Sequence, residues 1–235
     1  ALLRLPVAVH VAGGEPVALP DIAYGGRLHW RSRVVETALL RRASLVTAAS
    51  QPMLELLASQ GITASLLPLG VDLEQWPLRL PRPRDLTRQA RLLHIGSLNR
   101  VKDQTMLLSA LAQLAAARVP FVADIVGEDT LDGAVQRLAA TLGLEARIKF
   151  HGFRTQRELR PLCEAADVLV VTSRHEAGPL VVLEAGAVGV PTVGTAVGHL
   201  CEWAPDAALT VPVGDATALA SNLMALLADE PLRLR

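Results

Sequence analysis

Apolar residues in the second half of the chain recur in two alternating patterns. Short continuous apolar runs, typical of strands buried on both faces, stand at 92–95, 121–126, 148–150, 168–171 and 192–197. Between them lie stretches of helical spacing, such as Leu107, Leu108, Leu111 and Leu114. Strands that alternate with helices predict a parallel sheet wound on both faces. The pattern therefore indicates an α/β fold with a doubly wound, Rossmann-like parallel sheet.

The first half repeats this alternation with fewer elements. We expect helices at 28–42 and 52–59, and strands at 7–12, 44–49 and 62–67. A complete Rossmann-like half usually takes roughly 100–150 residues. The first half is therefore expected to be a partial Rossmann-like domain.

A proline- and arginine-rich stretch separates the two halves. Residues 77–90 hold three prolines and four arginines without an apolar period, which predicts a stiff, solvated linker. We therefore expect a partial N-terminal domain at 1–76, a linker at 77–90 and a C-terminal domain at 91–235.

Composition narrows the class of protein. Apolar residues make up 51% of the chain, and Lys+Arg and Asp+Glu are equal at 23 each. This balance argues against a nucleic-acid-binding protein, which normally carries a basic excess. No apolar run reaches membrane-spanning length. The two cysteines, Cys163 and Cys201, are interpreted as buried, reduced thiols of a cytosolic protein.

The turn after the strand at 168–171 is the strongest candidate for a binding site. A helix is expected to start at Gly178 and Pro179, because proline suits the first helical position. In open parallel sheets, ligands bind at the carboxyl ends of strands. The first helical amides, those of Leu180 and Val181, would then face an anion with the helix dipole behind them.

Two carboxylates bracket this turn. Glu176 lies in the loop before the helix, and Glu184 lies about one and a half turns inside it. Carboxylates accept hydrogen bonds from sugar hydroxyls. An anion-binding helix start between two such groups predicts a site for a phosphorylated sugar compound.

A second candidate loop, GSLNRVKD at 96–103, follows the first strand of the second half. Gly96 would let the backbone approach a ligand closely, and Lys102 would reach a diphosphate as a point charge. The loop thus supplies the cation that a phosphorylated ligand needs.

These motifs resemble a known family. Glu176, seven intervening residues and Glu184 resemble the E-x7-E signature of retaining GT-B glycosyltransferases of family 4, also called glycosyl transferases group 1. The runs EA at 184–185 and GVPTV at 189–193 resemble the residues that follow this signature. The run PLGVD at 68–72 resembles the turn that ends the first half of many members.

The resemblance implies a GT-B fold and transfer of a sugar from a nucleotide-diphosphate sugar to a glycan, lipid-linked or small-molecule acceptor. It implies that Glu176 contacts the donor sugar near the reacting carbon and that Glu184 holds the nucleotide ribose. The remaining donor-binding positions that it implies are Gly96, Lys102, Gly178, Leu180 and Val181. No metal or other cofactor is expected, and the chain holds no Asp-x-Asp motif. The resemblance further implies a cytoplasmic enzyme with peripheral contact at the inner face of a membrane.

Other positions match the family less closely. Ser97 replaces a common arginine, and Arg100 is a candidate substitute. His151 is a candidate neighbour of the nucleotide base, and Glu15 is a candidate for facing the acceptor. Where many members carry a histidine in the first half this chain has Ala12.

Three further features of the chain differ from the family pattern. His10 lies two residues before Ala12. His199 replaces the second glycine of a G-G-x-x-E motif. The first half also lacks the family's opening Gly-rich loop, so we expect a chain shortened at both ends that binds a donor without transferring it.

Two other functions remain open at this stage. One is a sugar-nucleotide epimerase of GT-B shape. The other is a non-catalytic nucleotide-sugar-binding fragment or partner subunit. The nucleotide base, the sugar, the acceptor and the oligomeric state are not specified by the sequence.

Overall fold

A computed structural model describes residues 5–234. Residues 1–4 and 235, at the outer ends of the two predicted domains, lie outside the described residues. The described chain forms two compact units. The first unit comprises residues 5–69, His175–Pro179 and Val197–Glu202, and the second comprises Gly70–Arg174, Leu180–Ala196 and residues 203–234. The domain boundaries expected from the sequence stay a prediction.

The first unit is built on a parallel sheet of three strands in the order β1-β2-β3. Its strands are β1 (Ala8–Val11), β2 (Leu45–Ala48) and β3 (Ser65–Leu66), and its longer helices are α1 (Trp30–Arg42) and α2 (Gln51–Ser59). Its core contains Val11, Val46, Met53 and Leu57. These elements lie close to the positions predicted from the apolar pattern.

The third predicted strand is shorter than expected. Only Ser65 and Leu66 pair with β2, at Thr47 and Ala48. Ile62 is buried, but its amide donates to the carbonyl of Leu57 at the end of α2. The apolar run at 62–67 therefore reflects packing below a helix end as well as strand pairing.

The second unit is built on a six-stranded sheet in the order β6-β5-β4-β7-β8-β9, with parallel pairing throughout. Its strands are β4 (Ala90–Ile95), β5 (Phe121–Val126), β6 (Ile148–Gly152), β7 (Val168–Val171), β8 (Thr192–Thr195) and β9 (Ala208–Val211). Its helices are α3 (Gln104–Ala116), α4 (Ala134–Thr141), α5 (Gln156–Ala165), α6 (Leu180–Ala187), α8 (Ala216–Ala228) and α9 (Glu230–Leu234). The short helix α7 (Leu200–Trp203) precedes β9. The predicted α/β class and parallel sheet are confirmed.

The strand order creates a switch point at the middle of this sheet. β4 is the first strand of the unit along the chain, and it lies between β5 and β7. Successive strands are therefore added outward on one side and then on the other. Ligands of doubly wound sheets bind at such a switch point, beyond the carboxyl ends of the two central strands.

Local sequence explains why several helices begin where they do. Thr155 and Glu158 form a capping box at the start of α5. The side chain of Asp215 accepts from the amide of Ala218 at the start of α8, as expected of an N-cap. Asp103 caps α3 in the same way, with the amide of Met106 as donor.

One strand of this sheet is not apparent in the apolar pattern. β9 pairs with β8 at the edge of the sheet, and Leu209 and Thr210 are only partly buried. A short, half-covered edge strand leaves a weak apolar signal. It was therefore missed, together with the four-residue helix α7.

The predicted linker is bound along the second unit by its arginines. Arg82 donates to the carbonyls of Glu164 and Ala166. Arg88 forms a bidentate ion pair with the buried carboxylate of Asp167, at 2.7 and 2.8 Å. Long-range contacts of this kind cannot be read from proline and arginine content.

No helix within residues 5–234 is both long and apolar enough to span a membrane.

Candidate functional site

The loop after β4 is bound to the end of β7, at the switch point of the six-stranded sheet. The hydroxyl of Thr172 donates to the carbonyl of Lys102 over 2.8 Å. The amide of Arg174 donates to the carbonyl of Val101, also over 2.8 Å. These bonds hold the loop that carries Lys102 against the residues that lead to Glu176.

Two glycines, Gly96 in this loop and Gly127 after β5, allow the backbone to pack closely here. A side chain at Gly127, whose φ is +155°, would place its Cβ 2.0 Å from the carbonyl oxygen of Gly96. A Cβ at Gly96 would lie 3.3 Å from Cδ and Cε of Lys102. The aliphatic part of Lys102 therefore packs over Gly96. Close approach of a ligand to this glycine stays a prediction.

The rest of the loop fixes the backbone of Lys102. Its amide donates to Oδ1 of Asn99 over 3.0 Å. The carbonyl of Ser97 accepts from the side chain of Gln104 over 3.1 Å. Arg100 is exposed.

The helix that carries Glu184 begins at Leu180, so Pro179 precedes it. This is one residue later than predicted, a difference within the usual uncertainty of helix ends. The amides of Leu180 and Val181 lie in the first turn of α6, where backbone donors have no acceptor within a helix. Leu180 is exposed.

Glu184 is buried and is held by a chain of two hydrogen bonds. Nε2 of Gln156 donates to Oε1 of Glu184 over 2.8 Å. Oε1 of Gln156 accepts from the indole nitrogen of the buried Trp76, also over 2.8 Å. The amide orientation of Gln156 is therefore set by a donor on one side and an acceptor on the other.

Glu184 also lines a cavity of about 300 Å³ within the second unit. The other lining residues are Gly70, Val71, Asp72, Gln75, Trp76, Gln156 and Leu180. Burial raises the pKa of Glu184, and the hydrogen bond from Gln156 partly offsets this increase. Gln156 thus holds a buried carboxylate at the wall of this cavity.

Glu176 belongs to a segment that packs in the first unit. Ala177 is part of the core of that unit, and its carbonyl accepts from the hydroxyl of Ser50 over 2.7 Å. A Cβ at Gly178 would lie 3.0 Å from Cβ of Ala49 and 3.4 Å from Nδ1 of His199. The position of Glu176 is thus set by packing on both sides of Ala177.

The loop after β1 packs against the same segment. Nε2 of His175 lies 3.3 Å from the carbonyl oxygen of Gly13. The rings of Tyr24 and His175 lie 6.2 Å apart. Burial raises the pKa of Tyr24 most, and the negative charges of Glu176 and Glu15 raise it further. Tyr24 is therefore a polar side chain beside Glu176 that the sequence did not single out.

Glu15 lies at the start of this loop. It is exposed, and its Oε2 accepts from the amide of Gly13 over 2.9 Å. Its assignment to the acceptor stays a prediction.

His199, which replaces a glycine of the family motif, is buried beside Glu176. Burial lowers the pKa of His199, while the carboxylates of Glu202 and Glu176 act in the opposite direction. Its Nδ1 faces Gly178. A side chain therefore fills the space where the family motif has only backbone.

His151 pairs with a neighbouring strand. Its Nε2 lies 2.6 Å from Oδ1 of Asp124, and Arg91 binds the other oxygen of Asp124 over 3.0 Å. Although burial raises the pKa of Asp124, the hydrogen bonds from His151 and Arg91 lower it below its usual value. A place for His151 beside a nucleotide base stays a prediction.

The interpretation of the two cysteines is half right. Cys163 is buried, and burial raises the pKa of its thiol to about 12, so it is unreactive at neutral pH. Cys201, however, is exposed on α7. An apolar residue in a four-residue helix has no fixed preference for the inner face, so the prediction that Cys201 is buried is wrong.

Gln156, Trp76 and Tyr24 were missed as site residues. None of them belongs to a local motif, and each reaches its partner across a long stretch of sequence. Gln156 is the first residue of α5 and lies 28 positions before Glu184. The available signal was a polar residue at the start of the helix that follows β6.

The fold matches proteins of known class. A six-stranded, Rossmann-like parallel sheet and a second parallel sheet correspond to the GT-B class of fold. A sequence profile of glycosyl transferases group 1 matches residues 82–235, which is more than half of the chain. The chain belongs to the glycosyl transferases group 1 family.

Similar proteins are known by sequence and by structure. Glycogen synthase of Mycobacterium tuberculosis is 30% identical over 181 residues, which cover 75% of this chain and 43% of that protein. D-inositol 3-phosphate glycosyltransferase of Xylanimonas cellulosilytica is 32% identical over 186 residues, which cover 72% and 44%. The chain thus spans less than half the length of these relatives.

Two solved structures illustrate the structural similarity. Sucrose-phosphate synthase of Thermosynechococcus elongatus superimposes with a TM-score of 0.77 at 28% identity, covering 93% of this chain and 56% of that one. Anabaena HepE, solved with UDP and glucose, gives a TM-score of 0.77 at 22% identity and coverages of 98% and 64%.

Proposed function

We propose that this chain is the donor-binding part of a retaining glycosyltransferase that uses a nucleotide-diphosphate sugar without a metal ion. The observation that carries the proposal is the buried, hydrogen-bonded Glu184 on the helix that follows the switch-point strand β7. A carboxylate is costly to bury unless a ligand or a partner completes its hydrogen bonds. A pair of ribose hydroxyls supplies the donors that such a group accepts.

The diphosphate is assigned to Lys102 and to the first amides of α6. Lys102 extends over Gly96 in the loop after β4, and that loop is tied to the end of β7. The ammonium group of Lys102 and the amides at the start of α6 both attract a negatively charged diphosphate. During transfer, these groups would stabilise the negative charge that develops on the departing diphosphate.

Glu176 is assigned to the donor sugar. It lies in the loop that follows β7, and the packing of Ala177 fixes the backbone beside it. A carboxylate there would orient the sugar through its hydroxyls and leave the nucleotide to Glu184. Their different surroundings support separate roles for the two glutamates: Glu184 is buried and bound by Gln156, whereas Glu176 is half-buried in the packed loop.

The acceptor is proposed to be a hydroxyl-bearing small molecule, glycan or lipid-linked sugar. Relatives with 30–32% identity are named for acting on substrates as different as glycogen and D-inositol 3-phosphate. The proposed contacts are Glu15 and Tyr24, both in the loop after β1, because the charges of Glu15 and of Glu176 both act on Tyr24.

Calorimetric titration with UDP-, GDP- and ADP-sugars tests the proposal. We expect one nucleotide to bind and Glu184→Ala to weaken it, whereas substitution of the exposed Glu145 should have no effect. Absence of binding for all three nucleotides, in a chain that unfolds cooperatively, would contradict the proposal. An epimerase would instead convert the bound sugar without releasing the free nucleotide.

A further inference from the structure

Two buried polar side chains, His94 and Gln104, stand at the two ends of the loop 96–103. His94 is the penultimate residue of β4 and Gln104 is the first residue of α3, and they are 3 and 2% exposed. Nε2 of Gln104 lies 3.3 Å from Nε2 of His94. The His94–Gln104 pair therefore joins the strand before this loop to the helix after it.

The partners of this pair determine which nitrogen carries each hydrogen. Nδ1 of His94 lies 3.0 Å from the carbonyl oxygen of Val170 in β7. A carbonyl oxygen only accepts, so Nδ1 donates and Nε2 is the acceptor for Gln104. The nitrogen of Gln104 also donates to the carbonyl of Ser97 over 3.1 Å. One chain of hydrogen bonds thus runs from β7 through His94 and Gln104 to the loop.

This orientation leaves the amide oxygen of Gln104 without a donor. Oε1 is buried and accepts no hydrogen bond within the described residues. Such an oxygen lowers the stability of the folded chain, and a methionine of similar size would not carry this cost. Packing alone therefore does not account for a glutamine here, and an unsatisfied buried group calls for another explanation.

The backbone between Lys102 and Gln104 is strained. Asp103 has a φ of +45° and a ψ of +56°, which lie in the left-handed region that residues other than glycine seldom adopt. Strain of this kind persists only where the surrounding structure holds it. The side chain of Asp103 accepts from the amide of Met106, and Gln104 is bonded back to Ser97. Gln104 therefore helps to hold the residue that directly follows Lys102.

We propose that His94 and Gln104 are positioning residues for the donor diphosphate. They hold the loop 96–103 so that the ammonium group of Lys102 meets the phosphates, and neither of them touches the ligand. The inference rests on the proposed function, in which Lys102 binds the diphosphate. A lysine side chain is long and flexible, so a fixed backbone reduces the freedom that binding has to remove. Loss of the pair should weaken diphosphate binding selectively, because the nucleoside part is assigned to Glu184 and not to this loop.

Calorimetry with UDP, GDP and ADP, each compared with its own nucleoside, tests the proposal. For the nucleotide that the wild type prefers, Gln104→Met should reduce diphosphate affinity about three- to tenfold. Affinity for the nucleoside should be unchanged. Gln113→Met is the matched control: it makes the same exchange on α3, where Gln113 donates to the hydroxyl of Thr217 over 3.5 Å, and it should affect neither ligand.

Two variants of His94 separate positioning from packing. The side-chain amide of asparagine reaches the position of Nδ1, and that of glutamine reaches the position of Nε2. His94→Asn thus keeps the bond to Val170 but loses the acceptor for Gln104, and it should reproduce the effect of Gln104→Met. His94→Gln keeps that acceptor and should retain the diphosphate affinity. Combining His94→Asn with Gln104→Met should add no further loss, because both break one chain of hydrogen bonds.

The outcomes distinguish this inference from the donor assignment. A wild type that binds none of the three diphosphates would contradict the donor assignment, and this inference with it. A wild type that prefers the diphosphate, together with an unchanged Gln104→Met or equal losses for both ligands, would overturn the positioning role alone. Equal losses in the two His94 variants would also overturn it. If Gln104→Met does not unfold cooperatively in urea, His94→Asn provides the same test from the other end of the pair.

Discussion

Gln156 donates a hydrogen bond to the buried carboxylate of Glu184 over 2.8 Å and accepts one from the indole of Trp76. Three residues from separate parts of the second unit thus form one network beside a cavity. Glu184 keeps lone pairs that Gln156 does not occupy, so the network is poised to accept hydroxyl donors.

Replacing Glu184 should weaken nucleotide binding. A hydrogen bond to a charged group contributes about 1.5–3 kcal/mol, so Glu184→Ala should lower UDP or GDP affinity about tenfold to a hundredfold. Titration calorimetry measures this directly. Unchanged affinity in a variant with a native circular dichroism spectrum would contradict the ribose role.

Glu184 should also shape the pH dependence of stability. Burial raises its pKa, so the folded chain retains a proton that the unfolded chain has released. The stability linked to that proton is fully present below the ordinary glutamate pKa of about 4.3 and is lost as the pH rises through the folded pKa. Wild type should therefore lose stability relative to Glu184→Gln as the pH rises above the ordinary glutamate pKa of about 4.3. Urea unfolding of both chains at a series of rising pH values tests the sign, and a constant difference would count against it.

Glu176 should discriminate between the intact donor and the bare nucleotide. Because we assign it to the sugar, Glu176→Ala should leave UDP affinity nearly unchanged and reduce UDP-glucose affinity, provided that UDP-glucose is the donor. Calorimetry with both ligands gives the comparison. Equal losses would mean that Glu176 instead holds the nucleotide or its own loop.

Lys102 offers a matched comparison, because the sequence contains only one other lysine, Lys149. Lys102→Met should reduce affinity for UDP but not for uridine, since the ammonium group is assigned to the diphosphate. Lys149→Met, at an exposed position of β6, should affect neither. Parallel losses for UDP and uridine in Lys102→Met would indicate a damaged loop and not a lost phosphate contact.

The ion pair between Arg88 and Asp167 should stabilise the second unit. Asp167 is 1% exposed and also accepts from the amide of Arg91. Breaking a buried pair leaves an uncompensated charge and typically costs about 3–5 kcal/mol. Since Arg88 is only partly buried, Arg88→Ala should cost less than this range, and clearly more than Arg118→Ala. Urea unfolding curves of the two variants make the comparison.

The sequence determined most of the elements and the local motifs of this protein. The buried run at 168–171 and the helical spacing after Asp103 arise from neighbouring residues, and the structure confirms both. The E-x7-E motif is equally local, because only a short loop and the start of one helix separate Glu176 from Glu184. For the same reason, the resemblance of these residues identified the family.

Tertiary structure alone decided the partners. The strand order, the bond between Gln156 and Glu184, the pairing of His151 with Asp124 and the binding of Arg88 by Asp167 join residues 27 to 79 positions apart. Local periodicity carries no information about contacts at such separations, because they form only when helices and strands pack. It also cannot tell which face of a short helix is covered, and this is why the exposure of Cys201 emerged only from the folded chain.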